Sequence, residues 1–377
     1  VRSPRAIVRV GGVPLDGWIA WEAAESTFFD ADTFEVSFAI SKLPAAYDLN
    51  WFAAQTEMFV EILAGFPANP AKPAASELTS LIYGRVDSLE LDLAARVLTL
   101  PGRDLTAVFI DTKLTTQYSN RTASQIVQAI AAGHGIATSI TTTRAIVGSP
   151  ALSQVGTYTL RTTVHMTTSN SEWDLISWLA RESGFIAYMQ GQTLYFGPDP
   201  SATTTPYLIT YTPAPEDGGA ASSNTCGLTF LRSLTVAKGI SVTAQSASFL
   251  GPTITRSYPR AVRSIKPGRA SPFGPTQQYL FTMPAGKNAQ QVEAFAEAKY
   301  REIVSHAMKV HGELPGDVVL AKTTPVRVQG TGTAWDQLYY PRAITRRMSM
   351  DEGFTMDFDA QNSTPDLDQA ASSASAS

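Results

Sequence analysis

From Val326 to Phe358 the chain reads V-R-V-Q-G-T-G-T-A-W-D-Q-L-Y-Y-P-R-A-I-T-R-R-M-S-M-D-E-G-F-T-M-D-F. A strand runs into a glycine turn at Gly330 and Gly332. An aromatic patch follows (Trp335, Tyr339, Tyr340), then a strand, a tight turn at Glu352-Gly353 and a last strand. Just upstream, Glu313 to Leu320 reads E-L-P-G-D-V-V-L, a Pro-Gly turn feeding a short apolar strand. Short apolar runs separated by turn residues of this kind predict a β-meander.

Working outward, the first hundred residues are also β-rich. Ala6 to Val10, Gly17 to Ser26, Phe34 to Ile40 and Met58 to Leu63 read as strands, and Phe34, Val36, Phe38 and Ile40 share one face by period two. A short helix is expected over Tyr47 to Ala54. Pro67, Pro70 and Pro73 exclude regular structure over the loop Phe66 to Ser76. Leu78 to Leu91 and Arg96 to Pro101 form a hairpin pattern. The middle of the chain switches to helical spacing. Thr122 and Gln125 have capping-box spacing ahead of Ile126 and Ile130, and Ser171 with Asp174 opens a second helix striped by Trp173, Ile176 and Ala180. Gly184 stops that helix, and a hairpin turning at Gln190-Gly191 follows. Gly251 to Gln278 reads as irregular. Asn288 to His306 is the longest predicted helix, with Val292, Phe295, Ala296, Tyr300, Ile303 and Val304 inward.

Bulk composition bounds the function. At 377 residues, two or three domains are expected. Hydrophobic residues make up 44% and charged ones 16%. A weakly charged surface points first to a subunit that buries itself against neighbours and second to a secreted or β-rich protein. The net charge of −4 argues against a nucleic-acid binder. A single cysteine, Cys226, rules out an internal disulfide and fits folding in a reducing cytoplasm. Val1 to Arg5 leads into strand-like alternation rather than a signal-peptide apolar block, and no window approaches the ~18 apolar residues of a membrane span.

The search for reaction chemistry finds no catalytic, cofactor-binding or metal-ligating set. His306 and His311 are five apart, one residue off zinc-helix spacing, and His134 follows a helix stop, where its cationic form suits the terminal carbonyls. Gly330-Thr331-Gly332 lacks the third glycine and the helix of a dinucleotide loop, so it reads as a β-turn. The acidic pairs Asp30/Asp32, Glu90/Asp92 and Asp357/Asp359 are spaced by two, which on a strand places each pair on one solvated face. Arg256, Arg260, Arg263, Lys266 and Arg269 form a basic strip without an acidic residue. It reads equally as a docking strip for an acidic partner or a phosphate backbone and as a solvated loop. Residues 362–377 form a Ser/Ala-rich tail that cannot bury a core of its own, with Leu367 as its lone large apolar side chain. Together with the basic strip, Leu367 completes the candidate interface, and an external surface is expected to hold the tail.

Three stretches, in this order, carry a family resemblance. G-R-D-L-T-A-V-F-I-D-T-K (Gly102 to Lys113) resembles the strand-to-helix entry of phage tail hub proteins. E-W-D-L-I-S-W-L-A-R-E-S-G-F-I-A-Y-M-Q-G-Q-T-L-Y-F-G-P (Glu172 to Pro198) resembles their helix-and-hairpin signature. The C-terminal meander resembles their closing barrel. Over roughly Ala6 to Ala360 the chain resembles the late control protein D family, which includes baseplate hubs of contractile phages and the hub part of type VI secretion spike proteins. The resemblance implies an α+β, mainly β fold with two tail-tube-like β-barrel domains and an α+β insertion. It divides the chain into a first barrel (1–103), an insertion (104–200), a stretch completing the first barrel and building the second (201–361), and the tail (362–377). It further implies a non-enzymatic homotrimer in the virion tail, assembled in the host cytoplasm. The trimer joins a sixfold tail tube or distal tail protein to a threefold central spike and touches other baseplate subunits. Tape measure and DNA pass through its channel without specific binding, and no membrane and no cofactor are involved. A tail-associated peptidoglycan hydrolase and a carbohydrate-binding β protein are the alternatives. The first needs a fused domain for which no residues are left. The second needs exposed aromatics, whereas Trp173, Trp178 and Phe295 lie in helix stripes.

Overall fold

The computed structural model describes residues 3–362 except 27, 115, 117, 120, 145–146, 148–156, 159–169, 217, 234–239, 249–250, 259–276, 284 and 305–307. The chain is α+β and mainly β. Its first curled sheet orders the strands Trp18–Glu25, Thr33–Ala39, Val97–Asp104, Thr79–Val86, Phe59–Gly65 and Arg5–Val10, all antiparallel. The alternation in the sequence sets which face turns inward: Phe34, Val36 and Phe38 are buried while Thr33 and Glu35 are exposed. The inward residues meet Val8, Val60 and Leu100 in one core. Gly84 and Gly102 face the Phe34 ring from neighbouring strands, and a Cβ on either would drive into that ring and into a backbone carbonyl.

The second curled sheet runs Gly227–Arg232, Met308–Pro315, Gly353–Gln361, Leu338–Ser349, Val326–Gln329 and Tyr207–Thr212. The last two pair in parallel. Ile209, Val310, Val328, Ile344 and Phe358 fill its core. Leu338–Ser349 belongs to both sheets. Ile344 to Ser349 pair with Ala20 to Glu25 of the first sheet, whereas Leu338 and Tyr339 pair with Val326–Gln329. The two sheets are therefore one continuous hydrogen-bonded path, which does not close into a ring among the described residues.

Between them sits the insertion. The helices Thr106–Asp111, Ala123–Gly133 and Glu172–Ser183 pack with a three-stranded sheet of Ala137–Ile140, Thr193–Gly197 and Ile186–Gln190. Phe109, Ile126, Trp173, Ile176, Leu179 and Phe196 share its core. Both capping boxes form: Thr122 with Gln125, and Ser171 with Asp174. Gly184 ends the second helix at φ 68°, a left-handed conformation that suits glycine.

Three expectations change. Gly251 to Gln278 is not uniformly irregular, because Ile254–Tyr258 is a strand beside Ile240–Ser246. Its prolines and glycines lie on either side, and Ile254 and Tyr258 pack toward the helix Ala289–Val304, with Tyr258 edge-on to Tyr300. The Pro-Gly pair also ends a strand instead of feeding one. Pro315 is the last ladder residue, and the carbonyls of Asp317 and Leu320 accept from the Arg346 side chain rather than from a neighbouring strand. Asn362, the first residue of the expected tail, is held against the second sheet just past the strand Gly353–Gln361: it is buried, and its backbone and side chain both bond Met308. Residues 363–377, Leu367 among them, lie outside the described residues.

Leu179 is fully enclosed in the insertion core, so Leu179→Ala should cost about 2–5 kcal/mol of unfolding free energy, and Trp173→Ala a similar amount. Chemical denaturation measures both. Unchanged midpoints in the two variants would remove the basis for this core.

Candidate functional site

The turn between the strands Trp18–Glu25 and Thr33–Ala39 touches both the insertion and the loop after Pro315. Phe29 holds φ 85°, a strained value for an aromatic residue that costs on the order of 1–3 kcal/mol. The insertion supplies what offsets it. The Phe29 N–H donates to the Ala187 carbonyl (3.2 Å), and the Trp173 indole Nε1 donates to the Phe29 carbonyl (2.6 Å). The Arg181 guanidinium lies 4.5 Å from the Phe29 ring centre. Phe28 meets the Tyr188 ring at 5.5 Å.

Three residues further, Asp32 turns inward. Its carboxylate accepts from Lys322 Nζ through both oxygens, at 2.8 and 2.6 Å, and from the Ser26 N–H at 2.8 Å. Both side chains of the pair are 9% exposed. Asp104, from the G-R-D stretch, lies opposite Asp32 across the ladder, since Thr33 pairs with Arg103 and the Asp104 N–H donates to the Asp32 carbonyl. The Asp104 carboxylate accepts from the Thr106 N–H (3.0 Å), which starts the first helix of the insertion. Lys322 comes from the loop after Pro315, and buried Arg346 pins that loop: its guanidinium donates to the Asp317 and Leu320 carbonyls and to Glu25. Lys322 Nζ also sits 5.4 Å from the Tyr188 ring centre. Glu25, Asp32, Asp104, Tyr188, Lys322 and Arg346 line a cavity of about 190 Å³ at the meeting of both sheets and the insertion hairpin.

Electrostatics follow from burial. Burial first, and then the neighbouring Asp32, push the Asp104 carboxyl up to about 7, with Lys322 acting against them. Burial pushes Asp32 up as well, against the pull of Lys322. The surrounding carboxylates, Asp32 foremost, raise the Lys322 ammonium despite its burial. The arrangement ties three parts of the chain together. Among the described residues, no group of three His, Cys, Asp or Glu side chains could hold a metal ion.

Asp32 corrects a sequence reading. Asp30 is exposed, as a solvated face requires, but Asp32 is buried, because the turn at Phe28 to Asp32 breaks the strand alternation. Lys322 and Arg346 went unnoticed: nothing in A-K-T-T marks a buried cation. Arg256 is exposed on its strand and donates to the Thr255 carbonyl. Arg260, Arg263, Lys266 and Arg269 lie outside the described residues. His134 bonds the Glu172 carboxylate (2.6 Å), joining two helices of the insertion, and His311 bonds Asp359 (3.0 Å). His306 is outside the described residues. Gly330 to Gly332 do form a turn, in which the Asp336 carboxylate accepts from the Thr331 and Gly332 N–H groups. No helix among the described residues is long and apolar enough to cross a membrane.

No family model and no curated protein matches this chain. Solved structures do. A tail protein from Neisseria meningitidis MC58 superposes with a TM-score of 0.67 at 14% identity, covering 96% of this chain and 97% of its own. The 43 kDa tail protein of prophage MuSo2 from Shewanella oneidensis gives 0.65 at 14% identity, covering 95% and 98%. An Escherichia coli component of the type VI secretion system, described as structurally similar to the T4 bacteriophage tail proteins gp27 and gp5, gives 0.52 at 11% identity, covering 94% and 76%. The chain has the fold of these tail and spike-related proteins along nearly its whole length.

Two stability effects are expected. Lys322→Met strands a buried carboxylate and should cost at least about 3–5 kcal/mol, which urea unfolding measures. Asp104 has a folded value near 7 against 3.8 for the free group. Its contribution is therefore fully present below about 3.8 and lost as pH rises through about 7. Asp104→Asn should flatten that part of the stability profile relative to the wild type. Identical profiles for the two proteins would show that Asp104 does not titrate as described.

Proposed function

We propose that this chain is a structural baseplate hub of a phage tail. In this reading three copies form a ring that adapts a sixfold tail tube, or a distal tail protein, to a threefold central spike and to other baseplate subunits. Residues 1–103 and 201–361 supply two tube-like β units, 104–200 the insertion, and the tail a tether to a neighbour. The observation that carries the reading is the superposition on phage tail proteins over nearly the full length of both chains. Two related β units per chain let three chains present near-sixfold contacts, which is how a trimer matches a hexameric neighbour. One shared strand, Leu338–Ser349, holds the two units at one orientation, as such a ring requires.

The bulk properties support the same role. A surface short of charge favours burial against neighbours. A net charge of −4 gives DNA little reason to stick while it passes. The basic strip Arg256, Arg260, Arg263, Lys266 and Arg269 and the tail residue Leu367 are the proposed contacts to other baseplate subunits. In this reading the protein assembles in the host cytoplasm, resides in the virion and carries no hydrolase activity.

The experiment is the native mass of the purified protein at high concentration, alone and with the adjacent spike. Three copies are expected, and a stable dimer or tetramer would sink the symmetry argument. A peptidoglycan zymogram complements it: the gel should stay unlysed, and a lytic band at the mass of the chain would return the hydrolase reading.

A further inference from the structure

The buried junction has the composition and geometry of a site for covalent closure. We infer that Lys322 and Asp32 condense into an intramolecular isopeptide bond, Nζ to Cγ, with Asp104 relaying the protons. The inference does not rest on the hub reading.

Position is the first support. Lys322 Nζ lies 2.8 and 2.6 Å from the two oxygens of Asp32, which centres the nitrogen on the carboxyl carbon. A swing of the Asp32 side chain about its Cα–Cβ bond is what brings a face of that carbon to the nitrogen. Amine and acid held this way react as an intramolecular pair, with effective molarities that reach ~10⁵–10⁸ M in well-oriented systems.

The second support is the third group. Asp104 stands directly across the ladder from Asp32, where Cβ atoms are ~4.5–5.5 Å apart on the same face of the sheet. It lines the same cavity as Lys322. An acid in that place can donate to the Asp32 carbonyl oxygen and take up a proton from the attacking nitrogen.

Charge and solvent complete the case. Glu25, Asp32 and Asp104 face the two cations Lys322 and Arg346. One proton among the carboxyls balances the cluster, and burial raises both Asp104 and Asp32 toward holding it. Burial pushes the Asp32 carboxyl up, and the neutral amine and acid from which condensation proceeds form by proton transfer within the pair. The cavity has room for the water that is released.

The step balances. The ammonium passes one proton to the Asp32 carboxylate. The resulting amine attacks Cγ and forms the N–C bond. A second nitrogen proton travels through Asp104 to the hydroxyl on Cγ, the C–O bond breaks, and water leaves. The amide nitrogen keeps one hydrogen, Asp104 regains its proton, and nothing is oxidised or reduced. The product ties the turn of the first sheet to the loop of the second across 290 residues of sequence.

Intact mass spectrometry of the folded, purified chain after incubation at neutral pH tests this directly. The expected mass is lower than that of the sequence by one water, and a tryptic digest should contain a branched peptide joining Lys322 to Asp32. In denaturing electrophoresis the wild type should run ahead of Lys322→Arg, whose mass should be that of the full sequence. Asp32→Ala should likewise keep its full mass, and Asp104→Ala, if folded, should be mostly unlinked. A folded wild type at full sequence mass, or a water lost elsewhere in the peptide map, overturns the inference without recourse to any variant.

Discussion

A lysine and an aspartate 290 residues apart meet with both side chains almost wholly out of water. Neither could stay buried alone, because an uncompensated interior charge costs several kcal/mol. The pair therefore forces two distant loops to the same place: the turn after the first sheet's Trp18–Glu25 and the loop after Pro315. The strained backbone at Phe29, the start of the insertion at Asp104 and the grip of Arg346 on the Lys322 loop all lie around that meeting.

The shared strand gives the same coupling by a different physical route. Leu338–Ser349 serves both curled sheets, and its register slips between Pro341 and Ala343. Proline has no N–H to donate, so a break in the ladder there is expected. The slip falls between the part of the strand paired to Val326–Gln329 and the part paired to Trp18–Glu25. One strand thus changes partners without ending. Backbone hydrogen bonds along this strand hold the two β units together, and the Lys322–Asp32 contact adds a second tie between them.

Much of the local structure was legible in the residues. The capping boxes at Thr122 and Ser171 are contacts within one turn, so spacing alone specifies them. Period-two burial of Phe34, Val36 and Phe38 follows from a strand with one wet face. Misreadings began where a residue's role depends on something distant in sequence. Asp32 is two residues from Asp30 and was grouped with it, yet the Phe28–Asp32 turn sends one outward and the other to Lys322. Pro315-Gly316 resembles a turn that starts a strand. Only the Arg346 side chain, taking the carbonyls that follow, makes it the end of one.

By itself, then, the sequence determined the mainly β character, the helices of the insertion with their caps and stops, and the resemblance to tail hub proteins. All of these rest on patterns within a few residues of one another or on the order of such patterns along the chain. The tertiary structure alone decided that one strand joins the two sheets, that Ile254–Tyr258 is a strand, and that Asp32, Asp104, Lys322 and Arg346 form one buried cluster. Those outcomes depend on which apolar faces meet and on which charges lose their water together. Neither is encoded at any single stretch of the chain.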